Sequence, residues 1–412
     1  MPDAHNMQLT ALLQQLYRKS FGKMTGHLLF MDGSLCLADA EDMVQEAFTS
    51  AAASWARGVP EQPEAWLYAA VRNMSRRRHA RKPTIIPLTH LPSAPAPESP
   101  PENSDLELLR LLFACMHAKF PPKVQLITAL RYVFGLQVQQ IGELLGMEAD
   151  SVSKVLYRQR RQLRAGDIAF RSGFVWWSAE KVQLALKALY IIFTEGWKIM
   201  DEALCEDALS LTRETIRRAR VHVSDAKALY ALMLFQLSRW EARTGPMGEL
   251  LELEQQDRGA WDRDMIRVAA DYLKQAAVAE GESPYHFEAS IAWFHATANS
   301  FAETPWLQIA GLYRQLAAIA PSPFVSLSHA IALYFAGQAR AAMDMLDALQ
   351  ADPFMRHHHI LQATLARIYA DGGNVPGALK HYRKALQGRP TPGEAAFIRK
   401  KIAALLGNGL SS

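Results

Sequence analysis

The chain has 412 residues, 50% hydrophobic and 21% charged, which is enough for two to four domains with cores of their own. Its formal charge of +4 is unevenly held: residues 1–165 carry 19 Lys and Arg against 15 Asp and Glu, whereas residues 166–412 carry 26 of each, a split that points to a nucleic-acid-binding first part and an electrically balanced second part. Three widely spaced cysteines, Cys36, Cys115 and Cys205, fit neither a disulfide framework nor a zinc site and suit a reducing cytoplasm.

The N-terminal stretch MPDAHNMQLTALLQQLYRKSF lacks the continuous apolar core of a signal peptide, and no run approaches the ~18 apolar residues of a membrane span. A soluble cytoplasmic protein without membrane contact is expected. Residues 11–82 read as helical. In ADAEDMVQEAFTSAAASW, Ala40, Met43, Val44, Ala47, Phe48, Ala51, Ala52 and Trp55 recur at helical spacing and predict a packed face. The opposite side carries Asp39, Glu41, Asp42, Gln45 and Glu46, an acidic surface suited to docking. Pro63 opens a further helix, where its missing N–H costs nothing. Trp66, Leu67, Ala70, Val71 and Met74 form its stripe, and Trp66 suits either a core or base stacking. Its far end holds Arg72, Arg76, Arg77, Arg78, Arg81 and Lys82 with no acid among them, enough to neutralise several phosphates.

Residues 83–104 contain seven prolines and predict an extended tether. At about 3.1 Å per residue it spans at most roughly 70 Å, comparable to ~20 base pairs of duplex. From Asp105 a second helical unit leads into QVQQIGELLGMEADSVSKVLYRQRRQLR. Ile141, Leu144 and Leu145 line a short helix, Gly146 falls in the turn, and Val152, Val155, Leu156 and Leu163 line a longer helix. This is the helix-turn-helix pattern. Ser151, Ser153 and Lys154 would face the major groove, with Arg158 and Arg161 on phosphates, and Arg160 and Arg164 complete the basic cluster.

Beyond residue 170 the chain reads as helical again, with breaks near 223–225, 244–247, 281–284, 304–305, 320–323 and 371–376. Segments 329–349 and 363–386 align with Gly337 on Gly373 and Ala342 on Ala378, a repeat close to that of tetratricopeptide helix pairs. Such pairs stack into a solenoid whose concave face takes a protein or peptide ligand. SGFVWWS at 172–178 reads as core. His357, His358 and His359 are adjacent and cannot point one way on a helix, which disfavours a metal site. The Cys115-x-His117 pair reads as packing. No phosphate loop, GxSxG motif or paired carboxylates on a strand are present, so no catalytic activity and no cofactor are expected.

DAEDMVQEAF, then PEAWLYAAVRN, a proline-rich gap, and a helix-turn-helix ending YRQRRQLR resemble regions 2 and 4 of bacterial extracytoplasmic-function sigma factors. LYIIFTEGW (189–197), QQDRGAWDRDMI (255–266), SPYHFEASIAWFHA (283–296) and PWLQIAGLY (305–313) resemble the tetratricopeptide-like extension of one subgroup. The resemblance implies an all-α protein: region 2 over 8–82, a linker over 83–104, a region 4 helix-turn-helix over 105–166, and a regulatory repeat domain over 167–412. It implies core RNA polymerase as partner for Asp39, Glu41, Asp42, Gln45, Glu46 and Phe48. It implies −10 promoter contacts from Trp66, Arg72, Asn73, Arg76, Arg77 and Arg78, and −35 contacts from Ser151, Ser153, Lys154, Tyr157, Arg158 and Arg161.

Three departures stand out. Asn73-Met74-Ser75 leads straight into Arg76 where the family commonly has an Asp. Cys115-Met116-His117-Ala118 replaces Cys-Cys-His-Pro, and His329-Ala330-Ile331-Ala332 replaces an RAVA-like stretch. Two other readings stand beside it: a helix-turn-helix regulator with a tetratricopeptide receptor for a peptide, which accounts for residues 121–412 and leaves 11–104 without a role, and an enzyme built in the helical C-terminal half, for which no motif speaks.

Overall fold

The computed structural model describes residues 4–79, 104–164, 177–245, 249–277 and 282–408. Arg81, Lys82, residues 83–103 of the tether, the expected boundary at 166/167, Trp176 and the side chain of Arg164 lie outside the described residues. The chain is all-α, with helical repeats and no named strand among the described residues. It divides into two compact units, Met1–Ala226 and Lys227–Ser412.

The first unit contains α1 (Ala4–Met31), α2 (Leu37–Ser54), α3 (Pro63–His79), α4 (Ser104–Cys115), α5 (Pro122–Tyr132), α6 (Val138–Leu145), α7 (Ala149–Arg164), α8 (Ala179–Ile199) and α9 (Glu202–Arg218). In α2, Ala40, Val44, Ala47 and Ala51 are fully buried, as the helical spacing requires. Ala52, expected on the same stripe, is exposed, because one position past Ala51 lies about 100° round the helix from the buried line. Phe21, Met24 and Leu28 of α1 are fully buried, each worth about 1.5–3 kcal/mol relative to exposure.

Two glycines set how closely α1 lies to its neighbours. A Cβ on Gly22 would fall 1.9 Å from the Val133 carbonyl oxygen, and one on Gly26 would fall 3.1 Å from that of Glu107. Polar groups on α1 reach α4 and α9: His27 Nδ1 lies 3.3 Å from Glu107, Lys23 Nζ 3.3 Å from Asp207, and Arg18 donates to Asp201 at 2.7 Å. Ser210 of α9 also donates to Asp105 of α4. Helices α8 and α9, which the sequence reading places after residue 167, therefore belong to the same compact unit as α1–α7.

The second unit is built from most of α10 (Val223–Leu237), then α11 (Arg263–Ala276), α12 (Pro284–Thr297), α13 (Trp306–Ile319), α14 (Pro323–Phe335), α15 (Ala339–Ala351), α16 (His359–Asp371), α17 (Val375–Gln387) and α18 (Pro392–Asn408). Consecutive helices pack as pairs, notably α14 on α15 and α16 on α17. Gly337 and Gly373 occupy the equivalent turns with φ of 80° and 74°, a left-handed conformation that favours glycine. Ala342 and Ala378 are both fully buried, which lets the paired helices approach as the repeat alignment predicts. Leu327, Leu346, Met355, Leu361 and Leu365 form a core between the last two pairs.

Candidate nucleic-acid and partner interface

The helix-turn-helix expected around Gly146 is α6 followed by α7. The Gln137 N–H donates to the Gln140 side-chain oxygen at 2.8 Å at the start of α6, satisfying a donor at the helix entry. Gly146 ends it with φ 61°, and a Cβ there would meet nothing within 4 Å. The glycine thus answers a backbone demand, since only the left-handed angle disfavours a side chain.

Helix α7 has two dissimilar sides. Val152, Gln159 and Leu163 are buried, and Gln159 donates to the Thr128 hydroxyl of α5. Ser151, Ser153, Lys154, Tyr157, Arg158 and Arg161 are all exposed. Tyr157 is 65% exposed, a large exposure for an aromatic ring. Lys154 pairs with Asp150 at 2.6 Å, but both are well exposed, so water and salt screen that pair. Six residues marked for duplex contact therefore share the open side of one helix, anchored by the buried side to α5.

The basic end of α3 is organised differently. Arg76, Arg77 and Arg78 are exposed, while Arg72 and Asn73 are half-buried. Between them Ser75 is buried and donates to Asp32 at 3.0 Å. Trp66 is half-buried with its ring edge-on to Trp55 at 5.5 Å. Arg78 donates to Asp39 at 3.0 Å. Burial alone would raise the Asp39 carboxyl, but bonds from Arg78 and Cys36 overcome this and hold it below its ordinary value.

The acidic face of α2 is occupied from within the chain. Glu41 is 3% exposed; its Oε1 accepts from Arg131 Nη2 at 2.9 Å, from Arg131 Nε at 3.2 Å and from Gln45 at 3.0 Å. Its Oε2 lies 3.6 Å from Arg160 Nη1, and Arg160 also donates to Asp42. Burial by itself would lower the Arg160 value; Glu41 and then Asp42 outweigh it and raise it. Phe48 is buried with its ring edge-on to Tyr17 at 5.1 Å, and Glu46 is exposed. Of the six residues marked for polymerase contact, Glu46 is open, Asp39, Asp42 and Gln45 are half-buried, and Glu41 and Phe48 are enclosed.

The sequence does not single out Arg131, and it shows Arg160 only as a member of the basic cluster. The signal for Arg160 was present in the helical wheel. It lies four residues after Leu156 and three before Leu163, so it flanks the buried stripe rather than the Arg158 and Arg161 side. For Arg131 no local signal exists, since its partner lies 90 residues away in sequence.

In the second unit the three adjacent histidines have separate duties. His358 accepts from the Ile360 N–H at 3.3 Å, capping α16, and His359 pairs with Glu394 at 3.3 Å. The bonds from His359 and Thr391 pull Glu394 down to about 2 against the effect of burial. His357 lies in a 3-10 turn. No described helix is long and apolar enough to cross a membrane.

Residues 181–277 match a family described as being of unknown function (DUF6596). An uncharacterized protein of Rhizobium meliloti (strain 1021) is 30% identical over 383 residues, covering 88% of this chain and 89% of that protein. No solved structure matches the chain.

Proposed function

From a chain that belongs to one family with the uncharacterized Rhizobium meliloti protein, we propose a transcription initiation factor of the extracytoplasmic-function sigma type, acting in the cytoplasm. The observation that carries this reading is the open side of α7, where Ser151, Lys154, Tyr157, Arg158 and Arg161 stand exposed behind a left-handed glycine turn. A separate basic helix end, Arg76 to Arg78, lies in the same chain. The α7 face suits a duplex element such as −35, read by its first polar residues and held by its later arginines. The α3 end, with Arg72, Asn73, Arg76 and Arg77, suits melted strand at −10, where Trp66 supports the helix from beneath.

The carboxylates of α2 are the surface offered to core RNA polymerase, and Glu46 with Asp42 are its accessible members. In this reading the ion pairs to Arg131, Arg160 and Arg78 make the closed, resting form, and polymerase takes the place of the chain's own arginines. The factor has no catalytic chemistry; its work is recognition, and the second unit modulates it. Full-length protein mixed with core polymerase should co-elute on size exclusion, and Glu46→Lys with Asp42→Lys should weaken the complex. Absence of any complex would overturn the reading.

One observation favours the second reading, a duplex-binding regulator with a peptide receptor. Within the second unit Ile331, Phe335, Ile360, Ala363, Ile368 and Phe397 line a groove of ≈ 270 Å³. Peptide-dependent duplex binding without polymerase binding would select it.

A further inference from the structure

The connector between α10 and α11, with the first residue of α11, holds four arginines, Arg239, Arg243, Arg258 and Arg263. Backbone bonds tie it into a compact loop: the Asp262 N–H donates to the Ser238 carbonyl at 2.7 Å, and that of Leu251 to Arg243 at 2.8 Å. Glu241 is exposed, and the other five carboxylates have partners of their own. Asp257 accepts from the Gly259 N–H and Asp262 from that of Met265, both at 2.8 Å. Glu249, Glu252 and Glu254 take Lys400, Lys401 and Arg367 at 3.0, 2.7 and 3.0 Å.

Arg258 sits at the centre of the group. Its Nη1 donates to the carbonyls of His295 and Ala298, at 2.6 and 2.8 Å, at the end of α12. Its guanidinium lies 4.6 Å over the Trp261 ring. Arg258 therefore touches two residues that, like itself, keep a buried nitrogen without a hydrogen-bond partner among the described residues: Arg258 Nη2, Trp261 Nε1 and His295 Nδ1. Trp261 is only 3% exposed, so its N–H has no ready access to solvent. The local field is cationic. Burial, then Arg239 and Arg258, push His295 down to about 3, and burial, then Arg243 and Arg258, push Arg239 down to about 9. Buried donors that make no bond are costly, and a cationic field in a low-dielectric setting magnifies the benefit of an anion.

We propose that this cluster is a binding site for a small oxyanion, a phosphate or carboxylate group, held by Arg258 Nη2, Trp261 Nε1 and the Nδ1–H tautomer of His295. Arg239 and Arg243 supply the surrounding positive field. The site lies wholly in the second unit and is independent of how the first unit is read. It gives the second unit a small-molecule input in addition to any groove ligand.

The test is calorimetric titration of the full chain with inorganic phosphate, and separately with succinate, at constant ionic strength made up with chloride. Saturable binding of phosphate is expected. Succinate saturating in its place assigns the site to carboxylates and equally supports it. Trp261→Phe keeps the stack under Arg258 and removes one N–H, so affinity should fall roughly fivefold. Arg258→Gln should remove binding. Because it also strips the cap from α12, His295→Phe serves as a second variant that retains an aromatic ring and should weaken binding similarly to Trp261→Phe. Heat that tracks ionic strength alone, or unchanged affinity in Trp261→Phe and His295→Phe, would overturn the proposal.

Discussion

Replacing Glu41 with Gln removes a charge from a place almost wholly shielded from water. Glu41 is 3% exposed and binds Arg131 through two donors at 2.9 and 3.2 Å. Arg131 cannot turn outward cheaply: its side chain is 14% exposed, its Nη1 donates to the Leu136 carbonyl at 3.2 Å, and its guanidinium lies 5.9 Å over Phe21. Removing one member of a buried pair leaves the other uncompensated and typically costs about 3–5 kcal/mol. Gln retains an acceptor for Arg131, and Arg160 keeps Asp42, whose side chain is 45% exposed and contributes at most about 1 kcal/mol. The expected loss for Glu41→Gln is therefore about 2–3 kcal/mol. Arg131→Met should cost a similar amount, and the double variant should cost less than the sum, with a coupling of about 2 kcal/mol. Urea unfolding of the full chain, followed by tryptophan fluorescence in the four proteins of the cycle, measures it. A coupling below about 0.5 kcal/mol would refute the view that this pair closes α2 against α5.

Other substitutions probe separate parts of the molecule. Gly22→Ala places a Cβ 1.9 Å from a backbone oxygen at Val133, so α1 must shift and stability should fall by at least about 1–3 kcal/mol in the same urea assay. Gly146→Ala meets no neighbour but keeps φ 61°, so the loss should be near ~1 kcal/mol and purely conformational. Asp207 is pushed up by burial to about 6 from an ordinary 3.8, despite Lys23. The folded chain then holds this proton more tightly than the unfolded one, so its contribution to stability is largest below 3.8 and declines as pH rises to about 6. Thermal unfolding across that window should show a fall in stability relative to Asp207→Asn, and a relative rise would contradict the sign. On α7, Lys154→Ala, Arg158→Ala and Arg161→Ala should each weaken duplex binding, and the two arginine variants should each reduce the salt dependence of log K by about 1 per lost phosphate contact. Unchanged affinity in all three and an unchanged salt slope in the arginine variants would remove the helix from the interface.

Local features were legible because each has a local cause. The buried Ala40, Val44 and Ala47 stripe follows from helical spacing, and the left-handed turns at Gly146, Gly337 and Gly373 were marked by glycines between periodic segments. The duplicated pair Ala342 and Ala378 was visible as a repeat because each turn sits at the same distance from a small buried residue. What escaped the sequence is contact at long range. Nothing near Glu41 announces Arg131 or Arg160, 90 and 119 positions later, and an acidic helix face looks the same whether solvent or a guanidinium covers it. The grouping of α8 and α9 with the first unit was hidden for the same reason, since it depends on Lys23, Arg18 and Asp105 meeting residues far along the chain. Arg258, Trp261 and His295 were visible as segments, but their orphaned nitrogens are a property of packing.

In the proposed function this chain directs RNA polymerase to promoters. The most direct test is to add the full-length protein to core RNA polymerase with a library of duplex promoters and sequence the 5′ ends of the transcripts. The expected result is start sites absent with core alone, sharing two upstream motifs, and lost when Arg158 and Arg161 are replaced by Ala. A transcript profile identical to that of core polymerase alone would contradict it.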